Sequence, residues 1–256
     1  MQVIWPELNV NVVSTTEQWA GAAIAGPKSR ELLSKLFPNK DISNEGLPFM
    51  GYMEADLFDV PAKIFRISFS GELAYEINIA SNFGTFMWEK TIEQGQQFNI
   101  QPYGTEALSN LRIEMGHVAG PELDGRTIPY DVSLEGLVSK KKDFVGKRSL
   151  NRVAFTSSTR QRVVGLVPID KKTVIPEGSH LVKDAKAKLP NPKLGHISSS
   201  CWSVEYNNPF ALAILQDGKN MIGEKLYAFS PLQNKTIPVE IVSSHYVDPK
   251  GERVRS

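Results

Sequence analysis

The sequence contains one cysteine, Cys201, among its 256 residues. A single cysteine excludes an intrachain disulfide framework and a zinc site built from several cysteines. The formal net charge is only +1, so no overall field draws the chain towards nucleic acid or an anionic membrane. No apolar run approaches the roughly 20 residues of a membrane-spanning helix, and the first residues lack the basic and apolar segments of a signal peptide. We therefore expect a cytoplasmic protein that binds neither nucleic acid nor membrane.

Several nucleotide-binding and catalytic motifs are also missing. The sequence has no G-x-G-x-x-G, no G-x-S-x-G and no histidines at metal-ligand spacing, so we predict no dinucleotide site, no serine-hydrolase elbow and no metal site. The stretch GAAIAGPKS comes nearest to a phosphate loop, but Pro27 separates its second glycine from Lys28 and Ser29. Proline lacks the N–H that such a loop turns towards the anion. The stretch therefore predicts a strand–turn–helix corner.

The pattern along the chain changes near residue 156. Before it, strands and helices alternate: residues 8–25 predict two short strands, residues 60 and 61 a turn between two more, and Ser81 a helix N-cap. After the polar link TSSTRQ come six β-rich runs: RVVGLVPI, SHLV, GHISSSCW, FALAIL, KLYAF and TIPVEIVS. The predicted fold class is α+β, with an antiparallel-sheet domain over residues 1–156 and a small β-barrel domain over residues 157–256.

One predicted strand carries a carboxylate on its polar side. In LAYEINI, Tyr75, Ile77 and Ile79 alternate with Glu76 and Asn78, and successive side chains of a strand point to opposite faces. One face is therefore apolar, and Glu76 lies on the other. Periodicity alone leaves two interpretations open: a solvated outer face that carries one charge, or the polar wall of a binding site.

A predicted helix, ALSNLRIEMG, places an arginine beside its apolar stripe. Leu108, Leu111 and Met115 recur at helical spacing, and Arg112 lies next to them. A buried arginine needs a carboxylate or a ligand as its partner, and Glu114 on the flank of the same helix is a candidate. The alternative is that the guanidinium reaches the surface along its own aliphatic stem.

Positive charge is concentrated in one stretch, SKKKDFVGKRSLNR. Its basic residues are Lys140, Lys141, Lys142, Lys147, Arg148 and Arg152. Such a run is commonly a solvated surface. The other interpretation is a contact for an acidic partner subunit or for a polyanionic ligand tail.

Five motifs, in the same order, resemble those of the folate-binding aminomethyltransferase family, which includes the glycine cleavage T-protein. AIAGPKSRELL is similar to the family's strand–Gly-Pro–helix corner, SGELAYEINI to T-G-E-x-G-[YF]-E-[IV], and YGTEALSNLRIEMG to R-x-x-L-R-L-E-x-G. DFVGKRSL resembles D-F-[IV]-G-K-x-x-L, and LGHISSSCWSV with FALAIL resembles the C-terminal strands. Within the family, FRISFSGELAYEIN, VSKKKDFVGKRSL and YVDPKGER are most similar to the T-protein-like part of sarcosine oxidase alpha subunits.

The resemblance implies cofactor-binding roles for four residues. Glu76 matches the glutamate that holds the pteridine ring by its N–H edge, a task that suits a carboxylate because it accepts two parallel hydrogen bonds. Arg112 matches the helix arginine that faces the folate. Phe69 stands where many members have tyrosine, so a hydroxyl contact is lost there. Tyr246 falls near a C-terminal aromatic residue that closes over the cofactor in some members.

The family's catalytic aspartate lies in a segment ahead of the strand that matches residues 8–14. We therefore expect it outside this chain, which would begin inside its folate-binding domain, and we predict no catalytic residue here. An upstream segment of the same protein, or another subunit, would then supply the acid.

The function that the resemblance implies is one-carbon transfer in an enzyme of the sarcosine oxidase type. The oxidised N-methyl carbon of sarcosine would pass to tetrahydrofolate and give 5,10-methylenetetrahydrofolate, with flavin and NAD held only by other parts of the enzyme. The expected partners are folate and other sarcosine oxidase subunits. Two alternatives stay open: a non-catalytic module of this fold that serves subunit assembly, and a glycine-cleavage-type aminomethyltransferase.

Overall fold

The computed structural model describes residues 3–186 and 189–256. The chain divides into two compact units: unit 1 comprises Met1–Pro102 and Glu252–Ser256, and unit 2 comprises Tyr103–Gly251. The predicted domain boundary near residue 156 lies inside unit 2 and stays a prediction. No helix among the described residues is long and apolar enough to cross a membrane.

The core of unit 1 is one antiparallel sheet covered by two helices. The strands are β1 (Trp19–Ala25), β2 (Tyr52–Leu57), β3 (Val60–Phe65) and β4 (Ala74–Ala80), and the helices are α1 (Ser29–Leu36) and α2 (Gly84–Gly95). The strands lie in the order β1-β4-β3-β2. Tyr75, Ile77 and Ile79 of β4 are fully buried and pack with Leu33 of α1 and Met87 of α2. The helices therefore cover one face of the sheet, and we call the opposite face, which carries Glu76, the open face.

Three local predictions for unit 1 are wrong. Of the two strands expected over residues 8–25, the structure contains one, β1. The chain reverses at Phe58 and Asp59, whose φ angles are 48° and 69°, rather than at residues 60 and 61. Pro61 instead lies in β3 where that strand pairs with β2 alone, so its missing N–H breaks no bond to β4. Ser81 opens a 3₁₀ turn ahead of α2 and makes no capping hydrogen bond.

The described residues of unit 2 form two α-helices and six strands, besides short 3₁₀ turns. The helices are α3 (Thr105–Glu114) and the short α4 (Val153–Thr156), and the strands are β5 (Gln161–Pro168), β6 (His180–Val182), β7 (Gly195–Ser203), β8 (Asn208–Gln216), β9 (Lys225–Ser230) and β10 (Lys235–Val242). Antiparallel pairing in the order β10-β5-β8-β7-β6-β9 closes them into a barrel. The six predicted β-rich runs and the α+β class with a C-terminal barrel are confirmed.

The barrel has an inner and an outer apolar cluster. Leu166, Ile197 and Leu215 belong to the inner cluster, which fills the barrel. Helix α3 lies against the outside of β7 and β8, where its Ile113 packs with Phe210. Strand β8 is therefore covered on both sides, and eight of its nine residues are buried.

The short helix α5 (Glu252–Arg255) belongs to unit 1. The main-chain oxygen of Ser256 accepts hydrogen bonds from Arg30 Nη2 at 2.6 Å and from Arg66 Nη2 at 2.8 Å. Arg66 is only 1% exposed, and its Nη1 donates to Asn44 Oδ1 at 2.6 Å and to the carbonyl oxygen of Leu47 at 3.0 Å. Its guanidinium thus joins three segments of unit 1 that are far apart in sequence.

Candidate functional site

Glu76 lies near the middle of the open face of the unit 1 sheet. Its register partners are Ala23 on β1 and Phe65 on β3, and residues directly opposite each other share a face. Phe65 in turn contacts Tyr52 of β2, with ring centroids 4.9 Å apart. The carboxylate therefore stands between a small side chain and a pair of aromatic rings.

One step along the open face, Asn78 has Gly21 and Lys63 as its register partners. A Cβ atom at Gly21 would lie 2.9 Å from Asn78 Oδ1, so glycine leaves room for the amide. Lys63 Nζ lies 4.4 Å from the centroid of the Trp19 ring. Trp19, Lys63 and Glu54 line a hollow of about 310 Å³. The open face is thus polar and uneven rather than a smooth apolar surface.

The Glu76 carboxylate is partly exposed and makes no hydrogen bond or ion pair with another residue that the structure describes. An ionised carboxylate has two oxygens, each able to accept hydrogen bonds. This side chain can therefore accept two bonds from one bound molecule without breaking a contact of the folded chain.

Arg112 on α3 is 6% exposed and belongs to a buried polar network in unit 2. Its Nη1 donates to Glu122 Oε2 at 3.0 Å and to the carbonyl oxygen of His117 at 3.3 Å, and its Nη2 donates to Ser199 Oγ at 2.8 Å. Ser199 Oγ also donates to Glu122 Oε1 at 2.6 Å. The guanidinium is therefore buried and paired, which excludes the alternative that it reaches the surface, and its carboxylate partner is Glu122 instead of Glu114.

Glu122 is the residue that sequence reasoning missed. It is completely buried and also accepts a hydrogen bond from the main-chain N–H of Ala119 at 2.9 Å. It stands in GPELDG, a loop without strand or helix periodicity. The only signal for it was the requirement that a buried arginine has an acidic partner. Asp131 is a second such case, because it is completely buried and binds Arg160 through both carboxylate oxygens, at 2.6 and 2.7 Å.

The two aromatic residues of the predicted site lie in different units. Tyr246 stacks on Phe210 in unit 2, with centroids 4.5 Å apart and planes 5° apart, and its hydroxyl accepts a hydrogen bond from Asn208 Nδ2 at 3.1 Å. Phe69 lies in unit 1 between β3 and β4 and is 42% exposed. Unit 1 therefore holds Glu76 and Phe69, whereas unit 2 holds Arg112 and Tyr246.

Two further sequence interpretations concern groups outside this set. Burial, with a smaller effect of Glu114, raises the pKa of the Cys201 thiol to about 12, which agrees with a packed, unreactive cysteine. In the corner after β1, the hydroxyl of Ser29 donates to the carbonyl oxygen of Leu73 at 2.9 Å, and Gly26 has a φ of 121°. The corner is occupied by its own chain, so it offers no phosphate cradle.

A four-stranded antiparallel sheet followed by a closed six-stranded barrel agrees with the two domains that this chain matches. The GCVT N-terminal domain matches residues 1–142, and the glycine cleavage T-protein C-terminal barrel domain matches residues 161–248. The chain belongs to the glycine cleavage T-protein family, which confirms the resemblance seen in its motifs.

Among the curated relatives, sarcosine oxidase alpha subunits are more similar to this chain than an aminomethyltransferase is. Sarcosine oxidase subunit alpha from Rhizobium meliloti (strain 1021) is 41% identical over 99% of this chain, which covers 26% of that protein. Sarcosine oxidase subunit alpha from Corynebacterium sp. (strain P-1) is 40% identical with the same coverage. The aminomethyltransferase from Chloroherpeton thalassium is 28% identical over 87% of this chain and 59% of that protein. The chain thus spans about a quarter of the length of the sarcosine oxidase alpha subunits that it matches.

A solved structure shows the same fold. The glycine cleavage system aminomethyltransferase T from Bartonella henselae superimposes with a TM-score of 0.72 at 22% identity, over 90% of this chain and 60% of that chain. At this identity the likeness concerns the fold alone.

Proposed function

We propose that this chain is the tetrahydrofolate-binding, one-carbon transfer part of a sarcosine oxidase alpha subunit. The observation that carries the proposal is the 41% identity to such a subunit over 99% of the chain. In the proposed reaction, oxidation of sarcosine elsewhere in the enzyme yields an N-methylene group or formaldehyde. This chain then holds tetrahydrofolate, which takes up that carbon as 5,10-methylenetetrahydrofolate. Flavin and NAD belong to other parts of the enzyme.

Glu76 is the residue that we assign to the pteridine ring. Its carboxylate is unpaired among the described residues and can accept hydrogen bonds from the amino group and a ring N–H of a pterin. Its register partners support this role, because Ala23 leaves space on one side and Phe65 offers an aromatic ring on the other. A flat heteroaromatic ring can lie against such a ring while the carboxylate holds its edge.

Arg112 keeps donors for a ligand in this proposal. A guanidinium has five N–H groups, and the bonds to Glu122, Ser199 and His117 use Nη1 and one N–H of Nη2. The Nε–H and the second N–H of Nη2 are left to face an anionic or carbonyl group of folate. Because Glu122 and Ser199 fix the plane of the guanidinium, these donors are held in place before the ligand arrives. Phe69 and Tyr246 complete the proposed cofactor-binding set.

The catalytic acid would come from outside this chain, and the whole enzyme would work in the cytoplasm with the other sarcosine oxidase subunits. The proposed domain boundary near residue 156 is consistent with the two family matches, since it falls between residues 142 and 161.

A glycine-cleavage-type aminomethyltransferase is the weaker candidate function, because the identity to such an enzyme is 28%.

The test is an anaerobic calorimetric titration of the chain with tetrahydrofolate. We expect saturable binding, and we expect Glu76→Gln to raise Kd at least about tenfold, which corresponds to roughly 1.4 kcal/mol. The matched control is Glu89→Gln, the same change at an exposed residue of α2, on the covered side of the sheet; its Kd should equal that of the unmodified chain. Equal Kd values for the two variants would reject the role of Glu76. Absence of binding by a folded chain would favour the subunit-assembly module.

A further inference from the structure

Unit 2 contains a cleft of about 670 Å³ that no part of the proposed function uses. It lies on the outside of the barrel, between residues 121–127, residues 154–161 and the strands β7 and β8. Its volume is in the range of small-molecule sites. It is lined by Arg126, Arg160, Lys193 and His196, together with hydroxyl, amide and apolar groups.

The positive charge of this cleft is only partly neutralised by its own wall. Asp124 is the one carboxylate among the lining residues, and it pairs with Arg126. Arg160 is held by the buried carboxylate of Asp131. The Lys193 ammonium is exposed and has no acceptor among the described residues. Arg126 and Arg160 are therefore each paired with a carboxylate, and Lys193 is the lining cation that is left free to bind an anion.

The pKa of the His196 imidazole is sensitive to the charges that line the cleft. Burial lowers the pKa of His196, and the positive charges of Arg126 and Lys193 lower it further. Asp124 acts in the opposite direction, and His180 adds a small effect of the same sign as the cations. The groups that face the imidazole are thus mainly cationic. A bound anion would lie close enough to favour its protonated form.

The geometry points to an anion-binding site in this cleft for a small molecule with two or more phosphate or carboxylate groups. Lys193 provides the unpaired charge, and Arg126 keeps the N–H groups of Nη1 that it does not donate to Asp124. Arg160 is held by Asp131. The amide of Gln216 provides a neutral donor. Several donors spread around a cavity of this size suit a molecule that carries more than one anionic group.

The experiment is a calorimetric titration of the full chain with two probes, tripolyphosphate and citrate, at low ionic strength and pH 7. At least one probe should bind saturably, and Lys193→Gln should raise its Kd at least tenfold. The matched control is Lys225→Gln, which removes the same charge from an exposed position on β9, the strand opposite β8 in the barrel. Its Kd should stay within twofold of that of the unmodified chain. Binding of tripolyphosphate alone identifies a phosphate ligand, and binding of citrate alone identifies a carboxylate ligand.

A second measurement is the imidazole pKa of His196, followed by NMR with and without the probe. Binding in the cleft should raise this pKa, whereas the resonance of His245, which does not line the cleft, should not move. Failure of both probes to saturate the chain would overturn the inference, as would equal weakening by Lys193→Gln and Lys225→Gln. Neither measurement contains tetrahydrofolate, and Glu76→Gln should leave both unchanged, so their failure is distinguishable from failure of the proposed function.

Discussion

Strand β4 buries one of its two faces, whereas strand β8 buries both. In β4, buried residues alternate with partly exposed ones from Tyr75 to Ala80, because helices cover only one face of its sheet. In β8, every residue except Gln216 is buried, because the barrel closes over one side and α3 with its neighbours covers the other. An outward position in the open sheet is therefore available to a ligand, whereas the outward positions of β8 beneath α3 are committed to packing.

The same contrast, between an open surface and a packed one, separates Glu76 of unit 1 from Glu122 of unit 2. Glu76 stands on the open face and makes no bond with another described residue, so its carboxylate can serve a ligand. Glu122 is completely buried and accepts bonds from Arg112, Ser199 and Ala119. The Glu76 carboxylate has no partner among the described residues, whereas the Glu122 carboxylate holds Arg112 in place.

The largest expected difference between the two surfaces is in thiol reactivity. The pKa of Cys201 is raised from 9.0 to about 12, so at pH 8 its thiolate fraction is roughly a thousandfold below that of an ordinary cysteine. Ala23→Cys would place a second thiol on the exposed face of β1. We expect one equivalent of a thiol reagent to react quickly with this variant and the second only in denaturant. Rapid reaction of both thiols would show that the outer face of the barrel is not closed.

The second prediction compares the stability effects of the two carboxylates. Glu122→Gln leaves the buried Arg112 guanidinium without its counter-ion, and breaking such a pair costs about 3 kcal/mol or more in free energy of unfolding. Glu76→Gln, which breaks no internal bond, should change that free energy by less than about 0.5 kcal/mol. Urea unfolding measures both values. A loss of comparable size at Glu76 would contradict the assignment of an open face.

The third prediction compares the two faces of β4. Ile77 is fully buried, so Ile77→Val should lower the free energy of unfolding by about 1 kcal/mol through the lost methylene and the small cavity. Asn78→Ala, at the next position but on the open face, should have a smaller effect on unfolding. Equal losses for the two variants would mean that β4 is covered on both sides, as β8 is.

The smallest expected effect is the pH dependence contributed by His196. Because its pKa is lowered in the folded chain, the unfolded chain binds the proton more readily between the folded pKa and about 6.5. This contribution to stability is complete above about pH 6.5 and is lost as the pH falls. Replacement by glutamine, His196→Gln, should therefore flatten the fall in stability between pH 7 and pH 5. A steeper fall in the variant would contradict a lowered pKa of His196 in the folded chain.

Local patterns predicted the parts of the fold that local patterns determine. The alternation in LAYEINI correctly separated the faces of β4, and the six β-rich runs correctly located the barrel strands. The turn between β2 and β3 was placed two residues late, because Phe58 and Asp59 adopt positive φ without a glycine. Residues 8–12 alternate like a strand, yet the structure places no strand over residues 8–18. Strand formation depends on packing against neighbouring strands as well as on the local pattern.

The sequence predicted which residues belong to the candidate site better than it predicted their hydrogen-bond partners. The position of Glu76 on a polar strand face followed from the sequence, whereas the burial of Arg112 was one of two interpretations that the sequence left open. The partners of Arg112 did not, since Ser199 is 87 residues away and Glu122 lies in an irregular loop. Contacts between distant segments depend on the whole fold and leave no periodic signal in either segment.

The arrangement of Arg66 has a consequence for the order in which the chain folds as it leaves the ribosome. Residues 252–256 complete unit 1, yet they are synthesised after every residue of unit 2. Until Ser256 arrives, Arg30 and Arg66 have no main-chain oxygen there to bind. Domains generally fold as they emerge. The barrel can therefore close before residues 252–256 have joined unit 1. Unit 1 can therefore be completed only after unit 2 has been synthesised, because residues 252–256 follow unit 2 in the sequence.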